Sequence, residues 1–124
     1  MDVKQERTHP VKARVKLMLC TEERFFGPGV CELLERIRGT GSIQAAAAQM
    51  EMSYTKAWRI LNRAEEEIGT ALITRVAGGR NGGSSTLTKA GEKAVSDFRE
   101  MEAKLNDYAD ELLKAHPDSF RPEE

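Results

Sequence analysis

A mainly α-helical domain with a small β-sheet, closed by one long C-terminal helix, is predicted by three features of the sequence. Two short helical segments between Gly41 and Arg63 are joined by a tight turn. Two short strand-like runs separated by glycines follow, between residues 71 and 87. The last quarter of the chain then repeats apolar residues with heptad spacing. Taken in that order, these are the parts of a winged helix-turn-helix followed by a dimerisation helix.

The chain has 124 residues, room for one modest core or for a small domain with a long dimerising helix. The net charge of −1 conceals an uneven distribution. Residues 1–91 carry 14 Lys and Arg against 10 Asp and Glu, while residues 92–124 carry 5 against 10. The front of the molecule is therefore basic and the acidic surplus sits on the last helix and tail. Cys20 and Cys31 are too few for a disulfide framework or a zinc site, and His9 and His116 lie far from both. Buried free thiols are expected, with a redox switch as the minor alternative, and no metal or cofactor. No leader and no long apolar run is present, so a soluble cytoplasmic, nucleoid-associated protein with no membrane partner is expected. No nucleophile with a base and no credible carboxylate pair points to an enzyme.

Residues 1–10 are polar and expected to be flexible. From Val11 to Cys20 apolar and basic residues alternate, with Lys12, Arg14 and Lys16 on one face, which predicts a half-buried strand. Its basic side is either a solvated edge or lies near phosphate. Gly27-Pro28-Gly29 breaks the pattern, and a helix is expected from about Pro28 to Arg38, with Val30, Leu33, Leu34 and Ile37 inward. Ser42 then caps a helix whose apolar face is Ile43, Ala46, Ala47 and Met50. Glu51-Met52 makes the turn, with Met52 expected beneath it, and Ser53 caps the second helix.

That second helix, expected over 53–68, carries the sharpest signal. Ala57, Leu61, Ala64 and Ile68 form one apolar stripe at ~100° per residue. Thr55, Lys56, Arg59 and Arg63 fall opposite it, and no acid occurs between Ser53 and Ala64. A helix packed on one side and basic on the other suits the major groove of DNA. The plainer alternative is an ordinary surface helix of a small bundle.

Gly69 ends this helix. Ala71 to Val76 reads as a strand, Gly78 to Gly83 as a tip, and Ser84 to Leu87 as the returning strand. The tip lacks the Gly-Lys-Ser/Thr ending of a nucleotide-binding loop. Residues 71–91 hold Arg75, Arg80 and Lys89 without an acid. The expectation is a DNA-contacting wing over 77–84, with Arg75, Gly79, Arg80 and Asn81 in its contact set and Arg80 at the minor groove. A merely mobile hairpin is the alternative. Thr88 caps the last helix, expected to run to about Lys114. Ala94, Phe98, Met101, Leu105, Tyr108 and Leu112 keep strict 4-3-4-3-4 spacing, a dimer seam. About 26 helical residues span ~39 Å, more than a domain this small can cover beyond the first turns. Residues 116–124 are expected to fray.

Gly41-Ser42-Ile43 with the alanine run, Ser53-Tyr54-Thr55-Lys56-Ala57-Trp58, the doubled-glycine segment 78–83 and Leu87-Thr88-Lys89-Ala90-Gly91 together resemble the DNA-binding domain of the molybdate-responsive ModE-type regulators. These are relatives of the LysR-type winged helices. The resemblance covers about residues 11–113. It implies a homodimeric, bacterial DNA-binding transcription regulator: winged helix-turn-helix over 11–87, dimerisation helix over 88–115. It places Ser53, Tyr54, Thr55, Lys56 and Arg59 toward the major groove, with Arg63 as a further basic contact from the helical wheel. Trp58 becomes the residue joining helix to wing. Two departures stand out. Glu51 occupies a turn position often held by Gly, which implies a slightly different turn. The chain ends at Glu124, before the molybdate-binding domains of the family, so no molybdate site is expected. The expected partner is double-stranded DNA with an inverted-repeat site; the alternative is a winged-helix adaptor docking a protein through the last helix.

Overall fold

The computed structural model describes residues 10–79 and 82–120, with only the backbone described at 77–79, 82 and 83. Two very short strands, β1 (Leu19–Cys20) and β2 (Arg24–Phe26), precede α1 (Pro28–Thr40), α2 (Ile43–Gln49) and α3 (Tyr54–Ile68). Then come β3 (Ile73–Gly79), β4 (Gly82–Leu87) and α4 (Lys89–Lys114). β1 pairs with β2 and β3 with β4, each as a separate antiparallel pair. This is a helix-turn-helix domain with a long C-terminal helix.

The core lies where α1, α2, α3 and the start of α4 meet. Leu33, Leu34 and Ile37 of α1 are fully buried against Leu61 of α3, and Leu72, Val95 and Phe98 join the same cluster. Where helices cross, the sequence supplies alanine: Ala46, Ala47, Ala57 and Ala64 are at most 1% exposed. Small side chains let helix axes approach closely, which explains the alanine run better than helix propensity alone. Phe26 and Phe98 close the cluster on one side with rings 5.3 Å apart at 57°.

The link from α3 through the hairpin to α4 is fixed by polar contacts. Glu65 accepts from the N–H groups of Leu72 and Ile73, turning the chain after α3. Thr88 donates its hydroxyl to the Ala71 carbonyl and accepts from the Gly91 N–H, capping α4. Gly91 has to be glycine, because an added Cβ there would lie 2.2 Å from the Leu72 carbonyl oxygen. Gly41 caps α1 with φ of 75°, and its carbonyl accepts from the Ser85 N–H at 2.8 Å, tying β4 to the end of α1.

The expected strand from Val11 is not there; only Leu19–Cys20 is strand. The segment lies instead along α4, where Ala13 N–H donates to Asp110 Oδ1 and Val15 N–H to Asn106 Oδ1, each at 2.8 Å. Alternate residues of an extended chain repeat every ~6.6 Å, and four residues of helix rise ~6 Å, so the two spacings match. The expected half-buried face is not formed throughout either, since Val11 and Val15 are about 40% exposed; side chains of a helix, not a partner strand, hold this segment. The Ala13 bond holds the Asp110 carboxyl below its ordinary pKa, helped by nearby Arg14. At the other end, a turn beyond α4 places the Ser119 N–H on the His116 carbonyl.

α4 also corrects the expected seam. Phe98 is buried in the chain's own core and Ala94 packs against it, so Phe98 is not open to a second copy. Met101, Leu105, Tyr108 and Leu112 continue the same row into solvent, between 36% and 63% exposed. Between the two stretches Arg99 forks onto Glu35 of α1 at 2.8 and 3.1 Å and reaches Glu102. Those bonds lower the pKa of Glu35 and raise that of the guanidinium.

Candidate nucleic-acid interface

The turn between α2 and α3 is made by backbone. Met52 N–H returns to the Ala47 carbonyl and Glu51 N–H to that of Ala48. Glu51 has φ of 56°, the left-handed conformation a glycine supplies in this position. The turn is thus reached without glycine, at a strain of ~1 kcal/mol. Met52 is half-buried beneath it. Ser42 and Ser53 both serve as caps, accepting from the N–H groups of Ala45 and Lys56 at 3.0 Å.

Ala57, Leu61 and Ala64 of the expected stripe are buried, whereas Ile68 in the last turn is 40% exposed; α3 turns Thr55, Lys56 and Arg59 to solvent, and among the described residues neither Lys56 nor Arg59 has an ion-pair partner. Asn62 belongs to the same outward face, three residues after Arg59 and seven after Thr55, and it too is exposed. A search for basic residues passes over it, although an amide side chain is well suited to adenine. Glu66, seven residues after Arg59, closes this face at its far end. Glu65 and Glu67 are engaged elsewhere: Glu65 holds the β3 backbone, and Glu67 accepts from the Thr21 hydroxyl and pairs with Arg63.

Two predicted contact residues stand differently from the rest. Arg63 lies on the flank of α3 beside β2, at 3.8 Å from Glu23 and 3.5 Å from Glu67, rather than on the open face. Arg75 of β3 stacks its guanidinium 3.7 Å above the Trp58 ring, and Trp58 meets Tyr54 edge-on at 6.1 Å. A stack of this kind contributes ~0.5–1 kcal/mol at an exposed site, so its effect is mainly to fix the hairpin against α3. Gly79 ends β3 opposite Gly82, after a register shift beyond Val76. Arg80 and Asn81 lie outside the described residues.

Among the described residues no group of three His, Cys, Asp or Glu side chains could hold a metal ion. Burial pushes the Cys31 thiol up to about 11, so it stays protonated beneath α4, with Sγ 3.9 Å from the Val95 carbonyl. Cys20 is exposed. No described helix is long and apolar enough to cross a membrane.

Comparison with known proteins finds the same helix-turn-helix class. The profile of the bacterial regulatory helix-turn-helix proteins of the lysR family matches residues 30–92. The molybdenum transport protein ModE of Herbaspirillum seropedicae is 36% identical over 92 residues, covering 74% of this chain and 32% of that protein. ModE of Azotobacter vinelandii is 38% identical over 80 residues, 64% of this chain and 30% of its own length. The DNA-binding transcriptional dual regulator ModE of Escherichia coli is 30% identical over 86 residues, 68% and 33% respectively. The chain thus spans about a third of the length of these relatives.

Proposed function

The chain belongs to the bacterial regulatory helix-turn-helix proteins of the LysR family, with a ModE-like DNA-binding domain, and on that premise we propose that it regulates transcription as a homodimer on an inverted-repeat DNA site. α3 enters the major groove. Tyr54, Thr55, Arg59 and Asn62 face base edges, while Ser53 and Lys56 face phosphate, with Arg63 at the flank. The β3–β4 hairpin acts as the wing on the neighbouring backbone, using Arg75 and Gly79, with Arg80 and Asn81 extending the contact set. Met101, Leu105, Tyr108 and Leu112 meet their counterparts on a second copy, so that two α3 helices address two half-sites.

The observation that carries this reading is the outward face of α3, basic and unpaired at Lys56 and Arg59 while Glu65 and Glu67 are engaged within the fold. Molybdate recognition is not carried over, because the similarity lies over the helix-turn-helix and about a third of each relative.

The test is fluorescence anisotropy with labelled duplexes across a salt series. Affinity should fall with salt at a log–log slope of about 0.9 per phosphate contact. Arg59→Ala should lose ~1–3 kcal/mol on the preferred duplex and relax sequence preference. Binding that ignores salt, or an Arg59→Ala protein indistinguishable from the parent, would instead favour an adaptor that docks a protein partner through α4.

A further inference from the structure

The flank of α3 that faces β2 carries an open groove of about 370 Å³, of whose lining the reading above uses only Arg63. Its apolar lining comes from Met18, Phe25, Val30 and Ile60, and two arginines, Arg24 and Arg63, share it. Arg24 is exposed and has no ion-pair partner among the described residues. Arg63 is held only loosely, since its carboxylate neighbours stand 3.8 and 3.5 Å away and a good charge-assisted bond is ~2.7–2.9 Å. Glu23, the more distant of the two, is itself 83% exposed and readily displaced.

Two arginines lining an apolar wall have a specific chemical complement. A neutral hydrophobe leaves both cations unanswered, and a sugar or bare inorganic anion leaves the wall unanswered. An ion with one carboxylate and a compact apolar body answers both, and a carboxylate matches the planar guanidinium fork. We propose that this groove binds a small apolar carboxylic acid, an arylalkanoate in size and shape, with its carboxylate on Arg24 and Arg63 and its body against Met18, Phe25, Val30 and Ile60. Binding draws Arg63 away from Glu23 and Glu67. Because Arg63 stands on α3, the ligand also changes the charge arrangement beside the DNA face; that consequence rests on the reading of α3 as the DNA helix, whereas the site does not.

The experiment titrates the whole chain with 3-phenylpropionate and, separately, with 3-phenylpropionamide, following methyl and amide signals by NMR. The acid should give saturable shifts at the Met18, Val30 and Ile60 methyls, and the amide should bind about tenfold or more weakly. Arg24→Gln should remove the preference for the acid while keeping duplex binding, since Arg24 is outside the DNA-facing set. The proposal is overturned if the acid gives no saturable shift at the groove, if acid and amide bind alike, or if Arg24→Gln leaves the preference intact. A parent protein that binds no duplex yet shows the acid-selective titration would sink the DNA reading and leave the groove standing.

Discussion

The two halves of α4 carry one uninterrupted heptad row and are held by different balances of contact. Up to Arg99 the helix is fixed mainly by apolar packing, with Gly91 against the Leu72 backbone and Val95 and Phe98 in the core, beside an ion pair from Glu92 to Arg38 of α1. Beyond Arg99 the apolar row faces solvent, and what grips the helix is polar: Asn106 and Asp110 hold the backbone of Val15 and Ala13. A periodic pattern therefore states which residues share a side, not what covers that side. The change from one regime to the other falls where the Arg99 fork joins α4 to Glu35 of α1.

The largest expected effect tests the first half. Phe98→Ala should cost ~3–5 kcal/mol in urea unfolding, through lost burial and the cavity left beside Phe26. Leu112→Ala, two heptads on, should change the unfolding free energy of the monomer by less than ~1 kcal/mol, because its side chain is already half in water. Equal costs at the two positions would erase the distinction.

The second half is sharpened by its proposed partner. Leu105→Glu combined with Tyr108→Glu should leave secondary structure intact and halve the mass measured by sedimentation equilibrium. A parent that already sediments as a monomer would break the idea that this row is covered by a second copy.

The smallest effect concerns the tether. The folded-state pKa of Asp110 is lowered by the Ala13 N–H, so the tether's contribution is fully present above the unfolded carboxylate value of ~3.9 and disappears as pH falls through the lower folded value. In an acid titration the Ala13 amide-proton shift should move to that of a solvated amide below about pH 4. The Val15 amide, bonded to the neutral Asn106, should respond much less in the same range. Parallel movement of both amides would mean that the whole segment leaves as one piece.

Much of the helix-turn-helix was legible in the sequence itself. The serine caps, the alanine crossings and the open face of α3 are all local, spelled within one helical turn of the residues concerned. What escaped was non-local. Arg63 fits the basic side of a helical wheel, yet Glu23, forty residues earlier, and the neighbouring β2 draw it to a flank. Phe98 shares its spacing with Met101 and Leu105, and only the position of Phe26 assigns it to the core. The glycine of Leu87-Thr88-Lys89-Ala90-Gly91 is recognisable as part of a signature, but its necessity appears only once the Leu72 carbonyl is set against it. Glu51 shows the reverse case: the turn accepts a side chain where glycine is easier, and its geometry survives the substitution.

Trp58 is the sole tryptophan of the chain and stands under the Arg75 guanidinium, at the joint between α3 and the β3–β4 hairpin. The protein therefore carries a built-in optical gauge at one point. Its ultraviolet emission comes from a single indole, so a shift in wavelength or intensity on loading with a duplex reports movement at that joint without any attached dye. Stopped-flow mixing would give the timing of that movement, separating the arrival of DNA from the settling of the hairpin.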